Sequence, residues 1–304
     1  MLGDVIAETP SRVDRVLLSG DVPPNGTRAG MSGTYGPDPK TSLGLDFSEL
    51  SIPTDLGKAP AWFIPADPKN LIASFAGTWA ITVHGSSADR KQSLKFLSVL
   101  HRSGLSVLDI TYRNDIGAPQ SPDGLMHLGE SEWHDLDAAV ATALTMGAKH
   151  IVLYGGSMGG AIVLQFLTHS PLANRVSAVL LEAPMLSVPR MITNLGYVHH
   201  MPALLAWTAL ELTNWRLRYD VHQIDALRFP IGVHPPTLMF QDLADRVMPV
   251  SVAREFVSTS AARGWPIQYA EFPNAGHGET WNSDPDRCEM LISNFLGASI
   301  VTTS

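Results

Sequence analysis

The 304-residue chain has one cysteine, Cys288. No disulfide can form within it, which suits a reducing compartment. Cys288 reads as a small residue on a C-terminal helix rather than as a redox group. Positive charge is also scarce: 21 Lys and Arg stand against 29 Asp and Glu, a net charge of -8. Nucleic-acid binders normally carry a basic patch or stripe, so that class is not expected. No run of five or more like charges occurs. No stretch reaches the roughly 18 consecutive apolar residues that a membrane helix needs. The opening MLGDVIAETPSRVDRVLL lacks a basic start followed by an apolar run. No secretory signal is read there, and a soluble cytoplasmic protein is the default expectation. The adjacent His199 and His200 would point different ways on a helix, with no third ligand at a useful spacing. Neither a metal site nor a cofactor is expected.

What is present is an ordinary apolar content of 45%, and enough chain for a substantial core. Residues 1–58 are rich in Gly, Pro, Asp and Ser. NGTRAGMSGTYGPDPKTSLG (25–44) reads as loop, with RVLL (15–18) and LDFSELSI (45–52) as strands around it. Beyond them AWFIPA (61–66), WAITVHG (79–85), LSVLDITY (105–112), HIVLYGG (150–156), VSAVLLEAP (176–184), PPTLMFQD (235–242) and IQYAEFP (267–273) read as strands. Helices are expected near 91–103, 132–146, 158–170 and 252–264, with another over DRCEMLISNFLG (286–297). Strands alternating with helices from residue 79 onward predict an α/β fold with a mostly parallel sheet covered on both faces. The rhythm breaks between about 185 and 235, where two or three helices replace the next strand. A long insertion of this kind usually has a function or structure of its own. The expected division is an N-terminal extension (1–58), a core (59–184 and 236–304) and a helical cap (185–235).

Gly155-Gly156-Ser157-Met158-Gly159 fits the pattern G-x-S-x-G at a strand-to-helix junction. In such a turn the serine sits in strained backbone geometry, and side chains two residues before and after it would collide. The hydroxyl then stands at a helix N-terminus, which favours negative charge. A serine hydroxyl is a weak nucleophile and needs a base held by a third group. In this kind of sheet the order is serine, acid, histidine. Asp245 follows the strand TLMFQ, with Asp242 as a nearer competitor, and His277 lies in NAGHGETW before the last helix. An oxyanion hole needs two N–H groups. Met158 follows the serine; Ser86, in VHGSS, is the preferred second donor ahead of Gly85 and Ser87.

VHGSS, YGGSMGG, DLADRVMP and NAGHGETW together make residues 79–296 resemble an α/β-hydrolase of the serine esterase, lipase and peptidase-like branch. The resemblance implies an eight-stranded, mostly parallel sheet, a helical cap and acyl transfer through a covalent acyl-enzyme. It implies catalytic Ser157, Asp245 and His277, with Met158 and Ser86 at the oxyanion. In one respect the chain departs from the pattern: Gln241-Asp242 stands where many relatives have His-Gly.

Gly85, Tyr112, Trp207 and Trp215 are candidate substrate contacts. Arg113 and Asp115 read as a structural pair in the loop after LSVLDI, and Glu132, Trp133 and Asp135 as structural at a helix start. Tyr197, Trp207, Trp215, Tyr219, Met191 and Met201 suit either the inside of a cap or the lining of an acyl pocket. The expected activity is hydrolysis of a small-molecule carboxylic ester. Acyl transfer, thioester cleavage, cyclisation and amide or peptide cleavage use the same triad and stay open. A non-catalytic receptor is disfavoured because no triad member is missing. Oligomeric state is not legible.

Overall fold

The structure, a computed structural model, describes residues 2–9, 12–17, 21, 22, 24, 26, 36–67, 75–273 and 275–301. It divides into two compact units, Met1–Ser32 and Gly33–Ser304. In the first, β1 (Leu2–Thr9) pairs antiparallel with β2 (Arg12–Leu17). The strand expected at RVLL thus begins earlier and has a partner the composition did not suggest; Leu18 lies outside the described residues.

The second unit is built on an eight-stranded sheet. Its strands are β3 (Ser48–Thr54), β4 (Gly57–Ile64), β5 (Thr78–Val83), β6 (Ser106–Ile110), β7 (His150–Gly156), β8 (Val176–Glu182), β9 (Thr237–Asp242) and β10 (Ile267–Phe272). Their order is β10-β9-β8-β7-β5-β6-β4-β3. β4 runs against both of its neighbours; the other pairs are parallel. β3 forms one edge of the sheet and β10 the other; β3 overlaps the strand expected at LDFSELSI within residues 1–58. Inside the stretch expected to be loop, Pro39–Leu43 forms one helical turn, α1, capped by the Asp38 carboxylate at Thr41 N–H.

Side chains alternate across the sheet because a strand has a period of two. Ile81, Leu108, Leu153, Val179 and Met239 face one core, with α3 (Trp133–Thr145), α4 (Met158–His169) and α7 (Val250–Ala262). Ala80, Val107, Val152, Leu180 and Leu238 face the other, with α2 (Leu94–Arg102) and α9 (Pro285–Val301). Helices thus cover both faces, and the mostly apolar central strands follow from that double burial. Between β8 and β9 lie α5 (Val188–Val198), α6 (Ala203–Leu217) and a short 3-10 turn at Val221–Ile224. α8 (Thr280–Ser283) precedes the last helix.

Candidate active site

The loops after β5, β6, β7, β8, β9 and β10 gather at one end of the sheet, beyond the carboxyl ends of the parallel strands. That is where open α/β sheets bind ligands. Ser157 sits between β7 and α4 with φ 51° and ψ -116°. Such backbone costs of order 1–3 kcal/mol and persists only where the surroundings enforce it. Here the Ser157 N–H donates to the Glu182 carbonyl at 2.9 Å, and the Ser157 carbonyl accepts from Met185 N–H at 2.8 Å. A Cβ on Gly155 would lie 2.5 Å from the Gly159 carbonyl oxygen, and one on Gly159 only 2.1 Å from the Val83 carbonyl oxygen. Gly155 is therefore required where β7 meets the first turn of α4, and Gly159 where that turn meets β5.

His277 Nε2 lies 2.8 Å from Ser157 Oγ, and His277 Nδ1 lies 2.7 Å from Asp245 Oδ2. The Asp245 side chain is fully buried; that of His277 is 23% exposed. Asp245 Oδ1 accepts from Val247 N–H at 2.7 Å and Met248 N–H at 2.9 Å, while Gln241 Nε2 donates to Oδ2 at 3.1 Å. Every oxygen of this carboxylate is thus aimed, and Gln241 takes part in aiming it. The competitor, Asp242, makes no hydrogen bond to the imidazole: its Oδ2 accepts from Gly278 N–H at 2.9 Å. Burial, then the nearby negative charge of Glu182, pushes the Asp242 carboxyl up to about 8.

Met158 opens α4, so its N–H is among those with no partner inside the helix. Gly85 packs against the nucleophile turn: a Cβ there would stand 3.0 Å from Ser157 Cβ. The Gly85 N–H donates to Gln92 Oε1 at 2.6 Å and is occupied. His84 is buried, stacks on Tyr112 and meets Asp115 Oδ2 at 2.8 Å through Nε2. Burial disfavours its charged form, but Asp115, with the Gly85 carbonyl and Asp109, outweighs this and raises the imidazole pKa.

Of the candidate substrate contacts, Tyr112 lies fully buried beneath the His84-Gly85 loop, its hydroxyl donating to the Gly85 carbonyl at 3.0 Å. From there it braces the loop. Trp207 and Trp215 are exposed on α6. Neither lines the open cleft of about 430 Å³ that α5, α6 and residues 126–128 border with Met126, Leu128, Met191, Ile192, Leu212 and Leu217. The loop pair expected from Arg113 and Asp115 is corrected. Arg113 bonds Asp135 at 2.7 Å and Asp55 at 2.8 Å, whereas Asp115 bonds His84. Glu132 accepts from His127 and Gly129 N–H groups, so it ties a loop down rather than merely balancing a helix end.

Sequence reasoning passed over Lys95, Tyr154, Glu182 and Thr280. Lys95 and Glu182 form an ion pair in the interior, joined by the Tyr154 hydroxyl at 2.8 Å and by Thr280 Oγ1. Their signal was a single charge within each of two otherwise apolar runs, LKFL and AVLLEAP. Among the described residues no cluster of three or more His, Cys, Asp or Glu is arranged to hold a metal ion. No helix among them is long and apolar enough to cross a membrane.

Fold and site define an enzyme class, the hydrolases of α/β-hydrolase architecture, here a serine hydrolase of esterase or peptidase-like type. The chain belongs to the prolyl oligopeptidase family, whose model matches residues 122–296. It is similar to an uncharacterized protein of Mycobacterium tuberculosis, 25% identical over 88% of this chain and 85% of that one. It also resembles an alpha/beta hydrolase domain-containing protein of Arabidopsis thaliana, 28% identical over 44% of this chain and 42% of the other. Among solved structures, an esterase of Pyrococcus furiosus superposes with a TM-score of 0.66 at 17% identity, covering 87% of this chain and 97% of that one. A puromycin-hydrolyzing peptidase of M. tuberculosis gives the same TM-score at 18% identity, covering 84% of this chain but 40% of its own. At these identities the structural likeness speaks to the fold.

Proposed function

We propose that the protein hydrolyses carboxylic esters through an acyl-enzyme formed on Ser157. The observation that carries this reading is the unbroken line Ser157 Oγ, His277, Asp245, with links of 2.8 and 2.7 Å, at a serine whose φ is 51°. Ser157 Oγ attacks the carbonyl while His277 Nε2 takes its proton. Asp245 accepts from Nδ1–H, fixing the tautomer and stabilising the imidazolium. The N–H groups of Met158 and Ser86 meet the oxyanion. Ser86 is favoured over Gly85 because the Gly85 N–H is already given to Gln92. One such donor typically contributes about 3 kcal/mol. His277 then protonates the leaving alcohol, activates a water, and the acid is released.

Residues 185–235 serve in this reading as the cap. Asn194 on α5 donates to the Arg246 carbonyl at 2.8 Å, tying the helix to the loop of Asp245, and Tyr219 donates to the His127 carbonyl at 2.5 Å. The open apolar cleft along α5 and α6 suits an acyl chain. Amide or peptide cleavage is the second reading, favoured by the family's description as prolyl oligopeptidases. The ester reading is preferred because the chain is nearly coextensive with the esterase it superposes on, and covers under half of the peptidase. Initial rates on aryl esters from acetyl to long acyl chains, beside a chain-matched amide, separate the two. Faster ester turnover that vanishes in Ser157→Ala is expected; efficient amide cleavage with silent esters would reverse the preference.

A further inference from the structure

Gly278, the residue after His277, is held at both of its backbone polar groups. Its φ of 70° is a conformation that favours glycine and turns those groups into the protein. The N–H donates to Asp242 Oδ2 at 2.9 Å, and the carbonyl accepts from Lys95 Nζ at 2.7 Å. Lys95 and Asp242 come from different elements: Lys95 from α2, Asp242 from the end of β9. Neither touches the serine or the imidazole in any hydrogen bond of the structure.

Glu182 joins this grip to the nucleophile. Its main-chain carbonyl accepts the Ser157 N–H, and its carboxylate accepts from Lys95 Nζ at 2.6 Å, from the Tyr154 hydroxyl and from Thr280 Oγ1. One residue therefore fixes the serine through its backbone and the histidine loop through its side chain.

We infer that Asp242 and Lys95 are positioning residues for the reaction, holding the N–H and the carbonyl of Gly278 so that His277 is presented to Ser157. The inference rests on the reading of Ser157 and His277 as nucleophile and base. Stability is an insufficient account of the cluster. Replacing a buried ion pair with apolar groups of similar volume is often neutral or stabilising, and Asp242 Oδ1 is buried with no hydrogen-bond partner among the described residues. A buried carboxyl with half of its bonding unused is expensive, yet its other oxygen supplies the acceptor that the Gly278 N–H needs.

The test compares Asp242→Ala, Asp242→Asn and the charge-neutral double variant Lys95→Met, Glu182→Gln on a short aryl ester. A loosened imidazole lowers kcat without touching substrate binding. Asp242→Ala and the double variant are therefore expected to lose roughly 10- to 100-fold in kcat, with KM changed less than about twofold. Phosphonylation of Ser157 by a fluorophosphonate should slow in proportion. The low-field proton resonance of His277 Nδ1–H should broaden or move in both. Asp242→Asn keeps an oxygen acceptor for Gly278 N–H and is expected to recover most of the loss, because the clamp uses the acceptor rather than the charge. Lower Tm with kcat per folded molecule and the low-field resonance both unchanged would overturn the inference. So would an Asp242→Asn variant as slow as Asp242→Ala. If Asp242→Ala does not fold, the asparagine and double variants still decide. Full activity in Ser157→Ala would instead remove the reading beneath it, a separate and recognisable failure.

Discussion

Lys95 Nζ lies 2.6 Å from Glu182 Oε2, and each side chain is about 1% exposed. Two charges 87 residues apart in sequence thus neutralise one another under the candidate active site. Removing one partner of such a pair typically costs about 3–5 kcal/mol, since the other is left charged and unsolvated. Lys95→Met should be destabilised by about that amount, and adding Glu182→Gln should restore much of it. Urea unfolding of the single and double variants measures the coupling. A single variant as stable as the double would show that the two charges are not interdependent.

Asp245→Asn is expected to lower kcat by about 10⁴-fold with little change in Tm, because the amide favours the wrong tautomer of His277. Asp242→Asn should not lose activity on that scale. Steady-state rates for both variants check the assignment of the acid, and an inverse ranking would transfer the role to Asp242.

Two glycines give opposite forecasts. A Cβ on Gly159 would overlap the Val83 carbonyl oxygen, and neither backbone can move without breaking the turn at Ser157. Gly159→Ala should fail to yield a cooperatively unfolding, active protein. Gly297 is exposed inside α9, with nothing within 4 Å of the place an alanine methyl would take. Gly297→Ala should stabilise the protein by about 0.5–1 kcal/mol at unchanged kcat. Thermal unfolding and one rate measurement check both.

The pattern of these sites explains what was legible beforehand. That Ser157, Asp245 and His277 meet could be read because each falls in a short motif just beyond a strand, and chain order limits which residues come together there. The parallel sheet could be read because β5 to β9 are predominantly apolar and alternate with helical stretches. β1 was missed because a two-stranded unit leaves no strong apolar pattern; Ile6 in it is exposed. The partner of Arg113 was misassigned because proximity in sequence suggested Asp115. The fold instead brings Asp135 from α3 and Asp55 from the turn between β3 and β4. The clamp on Gly278 joins α2, the end of β8, the end of β9 and the histidine loop, a meeting that only the tertiary structure creates.

Stability should depend on pH through Asp242. Burial, with Glu182 nearby, raises its carboxyl from the ordinary 3.8 to about 8 in the folded protein. The folded state therefore keeps a proton that the unfolded chain releases, so this contribution is full below about 4 and is lost as pH rises to about 8. Asp109, raised to about 7 by its burial, acts in the same sense. Asp242→Asn cannot ionise, so its stability relative to the parent should improve between about pH 5 and pH 8. Urea unfolding at the two values tests this, and a constant difference would show that Asp242 does not change protonation on unfolding.

The central claim is that Ser157 carries the acyl group. Intact mass and peptide mapping after acid quench of an aryl-ester reaction test it most directly. The expected result is a transient mass increase equal to the acyl group, located on the peptide containing Ser157 and missing in Ser157→Ala. Steady turnover by Ser157→Ala, or an adduct on another residue with Ser157 unmodified, would contradict it.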